Sequence, residues 1–242
     1  MNVTLIAHTR LSDEFYADRV DGSQYEETAT DGQIVALSAI RTCYSHNKPS
    51  EIVELEGEKY FGKVAKDGEG GTEADRLIRH IMRSGHLSTT EHITFTFAIE
   101  GVSRSLLAQL TRHRHFSYSV QSQRYVKLES NSKSGGFDYV IPPSIAKDEE
   151  MREQYHSFMG VIQEAYDNLR AIAPAEDARY ILPNAATCNL VLTGNLRSIL
   201  EYYSKRGEGT HAQWEIKELA EQMKDAVIDV EPWAEAFFKG GK

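Results

Sequence analysis

Apolar residues along the chain keep two rhythms, and each predicts its own kind of element. Ile34, Val35, Leu37, Ile40 and Tyr44 recur at near-helical spacing, which predicts a first helix running into Arg41-Thr42-Cys43-Tyr44. Residues 62–71, rich in glycine and charge, read as a loop. A second helix starts at Thr72, whose hydroxyl can cap while Asp75 answers three residues later. Leu77, Ile78, Ile81 and Met82 supply its apolar face, and Gly85 ends it. The rhythm then changes. Ile93, Phe95, Phe97 and Ile99 alternate with Thr94, Thr96 and Ala98, the pattern of a half-buried strand. Ser103 can cap a further helix with Leu106, Leu107 and Leu110 turned inward, and its i, i+3, i+4 spacing puts Gln109, Arg112 and His113 on one face.

From His115 to Gln123 the chain is polar and irregular, and Ser130 to Gly136 reads as a surface loop. A long helix from about Asp148 to Ile172 follows, with Met151, Tyr155, Phe158, Ile162, Tyr166 and Leu169 expected on its core side. Ala178 to Leu182 reads as a short helix stopped by Pro183. Thr187 to Thr193 reads as a strand, and Asn195 can cap the helix that holds Arg197 and Arg206. His211 to Val230 predicts a last helix before Pro232, and Met1 to His8 a first strand. Helices and strands mix without regular βαβ alternation. The expectation is α+β: one domain over residues 1–242, with a central mixed or antiparallel sheet flanked by helices. No repeat, coiled-coil heptad, G-x-G-x-x-G or P-loop occurs, so a nucleotide would be held by side chains.

Composition narrows the picture. A chain of 242 residues, 40% hydrophobic and 26% charged, can bury a core like any ordinary soluble protein. It has no apolar run long enough for a membrane span, and its N-terminus lacks the pattern of a signal peptide. The 2 cysteines, Cys43 and Cys188, make neither a disulfide framework nor a cysteine-rich zinc site. Both are expected to be buried and inert, and a cytoplasmic location follows by default. The net charge of -9 argues against general nucleic-acid affinity. Its distribution says more. No Asp or Glu occurs between Gly101 and Leu128, whereas Arg104, Arg112, Arg114, Arg124 and Lys127 are there with His113 and His115. Such a stretch in an acidic protein suggests a local site for a small phosphorylated ligand.

Arg112-His113-Arg114, then Ser122-Gln123-Arg124 after seven intervening residues, places forked donors on both sides of a loop. On spacing alone the cluster reads either as a solvated basic helix end or as an anion site. Arg179 beside Pro183, and Asn195-Leu196-Arg197 leading to Arg206, favour the anion site. Stacking of a nucleic acid on Phe116, Tyr118 and Tyr125 fits the acidic total poorly. His113 and His115 lack a third partner at useful spacing and no H-E-x-x-H occurs, so no metal site is expected.

These motifs resemble those of the flavin-dependent thymidylate synthases. The Arg112-His113-Arg114 to Ser122 spacing matches the family signature, and Gln109 stands three residues ahead of it. Gly85-His86-Leu87-Ser88 with Glu91-His92, Ala178-Arg179 with Leu182-Pro183-Asn184, Thr193-Gly194-Asn195-Leu196-Arg197, and His211-Ala212 before Glu215-Ile216 match in order. The resemblance implies a homotetramer with FAD and dUMP at sites shared between subunits, methylenetetrahydrofolate as carbon donor, NADPH as reductant of the flavin, and no cysteine nucleophile. It implies FAD contacts at Ser88, Arg112, His113, Arg114, Asn195 and Arg197, with His86 near the flavin. Implied dUMP contacts are Gln109, Arg112, Ser122, Gln123, Arg124 and Arg179. Arg206 corresponds to the arginine that binds and polarises the pyrimidine, a task suited to a fixed guanidinium. Lys205 is its neighbouring alternative, because the sequence carries one extra residue between Arg206 and His211. Glu201 stands where relatives often have Asn or His and is left outside the site.

Overall fold

The computed structural model describes residues 1–239; residues 240–242, at the end of the expected domain, lie outside the described residues. The elements, in chain order, are β1 Asn2–His8, α1 Asp13–Arg19, α2 Asp31–Thr42, α3 Ile52–Tyr60 and α4 Glu73–Arg83. A 3-10 segment Leu87–His92 leads to β2 Thr94–Ser103, α5 Arg104–Leu110 and β3 Ser117–Val120. Then come α6 Pro143–Ala146, α7 Glu149–Arg170, α8 Ala175–Ala178 and a 3-10 turn Arg179–Ile181. The chain closes with β4 Thr187–Asn195, α9 Leu196–Arg206, α10 Trp214–Val230 and a 3-10 segment Pro232–Phe237. One sheet has the order β1-β2-β4-β3. The fold is α+β with a small antiparallel sheet. The register of β2 against β4 shows in the Thr96–Thr193 hydroxyl contact at 2.9 Å and the Gly101 N–H bond to Asn189 Oδ1 at 2.9 Å.

The chain divides into two compact units. One holds Met1–Thr4 and Ala98–Leu192, the other Leu5–Phe97 and the described residues from Thr193 onward. In the second unit, α2 contains the expected apolar stripe, begins at Asp31 and stops at Thr42, short of Tyr44. Thr30 caps Gln33 in a full capping box, and the buried Glu231 carboxylate accepts from the Gly32 N–H at 3.0 Å. A Cβ on Gly32 would lie 2.3 Å from Glu231 Oε1, so a larger residue would displace the carboxylate that accepts this N–H. Thr72 and Asp75 form the capping box of α4, and Gly85 (φ 83°) ends the helix in the left-handed region. Asn195 caps α9 by accepting from the Ser198 N–H at 2.9 Å.

In the first unit, α7 runs almost as expected from its Asp148 cap. Its burial differs. Tyr166 and Met159 are buried, but Met151 and Phe158, expected on the core side, are 45% and 61% exposed. The helical period identified an apolar stripe, but the core covers only part of it. The pattern also missed α1 and α3, which are short and mixed in polarity. The last long helix begins at Trp214 instead of His211, because Gln213 caps it by accepting from the Glu215 and Ile216 N–H groups. The expected Ala178–Leu182 helix is instead the end of α8 followed by a 3-10 turn. Cys188 is buried, whereas Cys43 is exposed, because α2 stops one residue before it.

Candidate functional site

Two residues of β2 aim the chain at the arginine cluster. Gly101 adopts φ 69°, a kink that a residue with a Cβ would strain. Ser103 then caps α5 by accepting from the Leu106 N–H at 3.0 Å. The start of α5 is tied to the segment ahead of β4, because the Arg104 and Ser105 N–H groups donate to the carbonyls of Ala186 and Asn184, both at 3.1 Å. Leu106, Leu107 and Leu110 are buried, as the pattern predicts.

The helix is shorter than expected. It ends at Leu110, so Arg112 and His113 lie in a turn beyond it and do not share a helical face with Gln109. The turn is tight: Arg112 N–H donates to Gln109 O at 3.3 Å and His113 N–H to Leu110 O at 3.0 Å. The residues from His115 onward are less irregular than expected, since Ser117–Val120 forms β3. That strand returns Tyr118 to the turn, where its phenol lies 2.7 Å from the Leu110 carbonyl and 2.8 Å from the His113 carbonyl. Phe116 is buried between them, its ring 6.3 Å from His113 and 6.2 Å from Tyr118. Burial pushes the Tyr118 phenol well above its usual pKa, so it is a hydrogen-bond donor at every physiological pH.

On this braced turn the Arg112 and Arg114 side chains are exposed and make no ion pair among the described residues. Ser122 accepts from the Arg124 N–H at 3.2 Å, which fixes the second half of the cluster. Gln123 has a buried Nε2 with no hydrogen-bond partner among the described residues. An unpaired buried amide is costly, so this donor is open to a further acceptor. The Arg124 guanidinium lies over the Tyr125 ring at 5.5 Å and pairs with Glu176 at 2.9 Å. Arg179 Nε donates to the Glu176 carbonyl at 3.1 Å. In the first unit Glu176, which was not a sequence candidate, thus holds Arg124 and Arg179, while Ser122 meets Arg124 through its backbone N–H.

In the second unit, the 3-10 segment after α4 carries His86 and Ser88, both exposed. Thr89 and Thr90 fasten this segment by donating to the carbonyls of His86 (3.2 Å) and Leu87 (2.7 Å). Arg197 pairs with Glu91. A cavity of about 440 Å³ is lined by Met82, Leu87, Arg197, Leu200, Glu201 and Ser204. Residues 197, 200, 201 and 204 fall on one face of α9. Glu201 therefore shares a cavity with Arg197, although the sequence reading left it out. Arg206 is the last residue of α9 and is partly buried, while Lys205 is exposed and pairs with Glu201. Among the described residues no group of three His, Cys, Asp or Glu is placed to hold a metal ion. No helix among them is long and apolar enough to cross a membrane.

An α+β scaffold that presents a cluster of arginine side chains, with no glycine-rich phosphate loop in its sequence, is the class these features define. Comparison with known proteins gives the family. The family described as thymidylate synthase complementing protein matches residues 26–233. The flavin-dependent thymidylate synthase of Clostridium tetani is 38% identical over 215 residues, covering 82% of this chain and 78% of that protein. That of Geobacter sulfurreducens is 44% identical over 202 residues, with coverages of 82% and 78%. Among solved structures, the flavin-dependent thymidylate synthase of Helicobacter pylori complexed with FAD and dUMP aligns with TM-score 0.64 at 22% identity, covering 99% of this chain and 98% of that one. A UMP/dUMP methylase from Streptomyces cacaoi bound with 5-Br dUMP aligns with TM-score 0.68 at 21% identity, covering 98% and 95%. This chain belongs to the thymidylate synthase complementing proteins, the flavin-dependent thymidylate synthases.

Proposed function

We propose that this chain methylates dUMP reductively to dTMP. Methylenetetrahydrofolate donates the carbon, and NADPH is the reductant. FAD, when bound and reduced, supplies hydride chemistry, and no cysteine attacks the pyrimidine. The observation that carries this reading is the braced Arg112–Arg114 turn, with two guanidinium groups in no ion pair among the described residues, in a chain of this family.

The residues fit the two ligands. Arg112, His113 and Arg114 in the first unit, and His86, Ser88, Asn195 and Arg197 in the second, are the FAD contacts. The largely apolar wall of the Arg197 cavity suits a flat ring, and its guanidinium suits an anionic end. Gln109, Arg112, Ser122, Gln123, Arg124 and Arg179 hold dUMP, and Gln123 Nε2, without a partner among the described residues, is available to a nucleotide oxygen. Arg206 binds the pyrimidine and stabilises negative charge that develops on it.

We take residues 1–242 as one catalytic domain that assembles as a cytoplasmic homotetramer, with FAD and dUMP sites shared between subunits. The exposed row Met151, Phe158 and Val161 on α7 supports self-association, because monomeric proteins rarely leave such a row uncovered. An anaerobic assay for dTMP with dUMP, methylenetetrahydrofolate, FAD and NADPH tests the activity. Formation of dTMP only in the complete mixture is the expected result. A colourless protein that makes no dTMP would overturn the reading.

A further inference from the structure

The tract from Gly101 to Leu128 contains no carboxylate, yet one carboxylate lies within it in space. Glu176, on α8, holds Arg124 at 2.9 Å through its side chain and Arg179 at 3.1 Å through its backbone carbonyl. One residue thus ties together two of the guanidinium groups assigned to the nucleotide, by two chemically different contacts. Only the first competes with a phosphate, because only a carboxylate offers the same anionic fork that a phosphate would present to Arg124.

Both partners of this ion pair are half exposed, with 50% of each side chain accessible. Such pairs are weakly held and readily exchanged. A phosphate reaching Arg124 and Arg179 together makes charge-assisted contacts to two guanidinium groups, which one carboxylate does not match. We propose that Glu176 is an internal counter-ion of the nucleotide-phosphate subsite, occupying Arg124 until a phosphate displaces it. The device favours phosphorylated ligands over weaker anions, since any ligand must outcompete a carboxylate already in place. The inference rests on the assignment of Arg124 and Arg179 to dUMP.

The sign of one substitution decides it. Glu176→Gln removes the charge but keeps the carbonyl that holds Arg179. Titration of the FAD-loaded full chain with dUMP, and with inorganic phosphate as competitor, should show both binding about two- to fivefold more tightly in Glu176→Gln. Glu176→Ala should shift both in the same direction. A residue that merely positions the arginines would weaken both ligands when changed, and weaker or unchanged binding overturns the proposal. Arg124→Gln separates the two levels of inference. Weaker dUMP binding in that variant supports the subsite, whereas unchanged binding overturns the subsite assignment itself.

Discussion

The Tyr118 hydroxyl lies 2.8 Å from the His113 carbonyl, so a residue of β3 braces the turn that carries the paired arginines. The same hydroxyl lies 2.7 Å from the Leu110 carbonyl, at the other end of that turn. It therefore spans the point where α5 stops and the cluster begins. Tyr118→Phe keeps the ring against Phe116 and removes only the bracing group. The expected cost in thermal or denaturant unfolding is about 1 kcal/mol, one hydrogen bond to a partly buried carbonyl. FAD retention should fall with it. Retention equal to that of the unaltered protein would show that the turn holds its shape without the phenol.

Arg112→Ala removes one of the two exposed guanidinium groups on that turn. A charged, forked contact contributes about 1.5 to 3 kcal/mol, so flavin affinity should fall by roughly one to two decades. Bound flavin is measured by its absorbance after gel filtration. Full occupancy in the variant would assign Arg112 to the nucleotide alone.

Arg206→Ala should behave differently. It should keep flavin and its reduction by NADPH but lose dUMP-dependent turnover. Loss of a donor to developing charge typically lowers kcat about 10²- to 10³-fold. Single-turnover dTMP formation measures this, with Lys205→Ala as the comparison. A larger loss in Lys205→Ala would move the catalytic assignment by one residue.

These tests target residues that differ in how legible they were from sequence. Local chemistry was readable. Thr72 with Asp75, Ser103 with Leu106 and Asn195 with Ser198 all cap helices as spacing predicts, since each cap closes within a few residues. The alternation in β2 was equally plain: Phe95 and Phe97 are buried and Thr94 is exposed. What failed depended on distant partners. The end of α5 at Leu110 is secured by Tyr118, whose role nothing in its local sequence announces. Glu176 meets Arg124 only through the tertiary path of α8, so it could not be weighed as part of the site. The apolar stripe of α7 was visible, but periodicity does not say what covers Met151 and Phe158. The rest of the cluster was identified by residue type and spacing, which say which side chains suit an anion but not how a turn presents them.

Acid stability has a definite sign at Glu56. Its burial acts to raise the carboxyl pKa, but hydrogen bonds from Ser45, Arg41 and Asn47 at 2.5, 2.6 and 3.0 Å outweigh it and leave the pKa below the usual 4.5. A carboxylate with a depressed folded pKa stabilises the fold above its unfolded value, and that contribution is lost as pH falls through the folded value. Unfolding free energy should therefore decline from about pH 4.5 downward. In Glu56→Gln this part of the decline should vanish. The variant should also lose about 3 kcal/mol at neutral pH, because it leaves a largely buried Arg41 uncompensated. An identical acid profile in both proteins would contradict the assignment.

Cysteine chemistry gives the last test. Cys43 is exposed just beyond α2, while Cys188 is buried in β4 with its sulfur 3.6 Å from the Val102 carbonyl. Exposure makes Cys43 the thiol that reagents reach, so blocking it is an informative challenge to a mechanism without a cysteine nucleophile. Cys43→Ser should leave dTMP formation and flavin content unchanged, with or without a thiol-blocking reagent. Cys188→Ala removes a buried sulfur from the sheet and should cost about 1 kcal/mol of stability while preserving turnover below its melting transition. Loss of methylation in either folded variant, with flavin still bound, would return a sulfur nucleophile to the reaction.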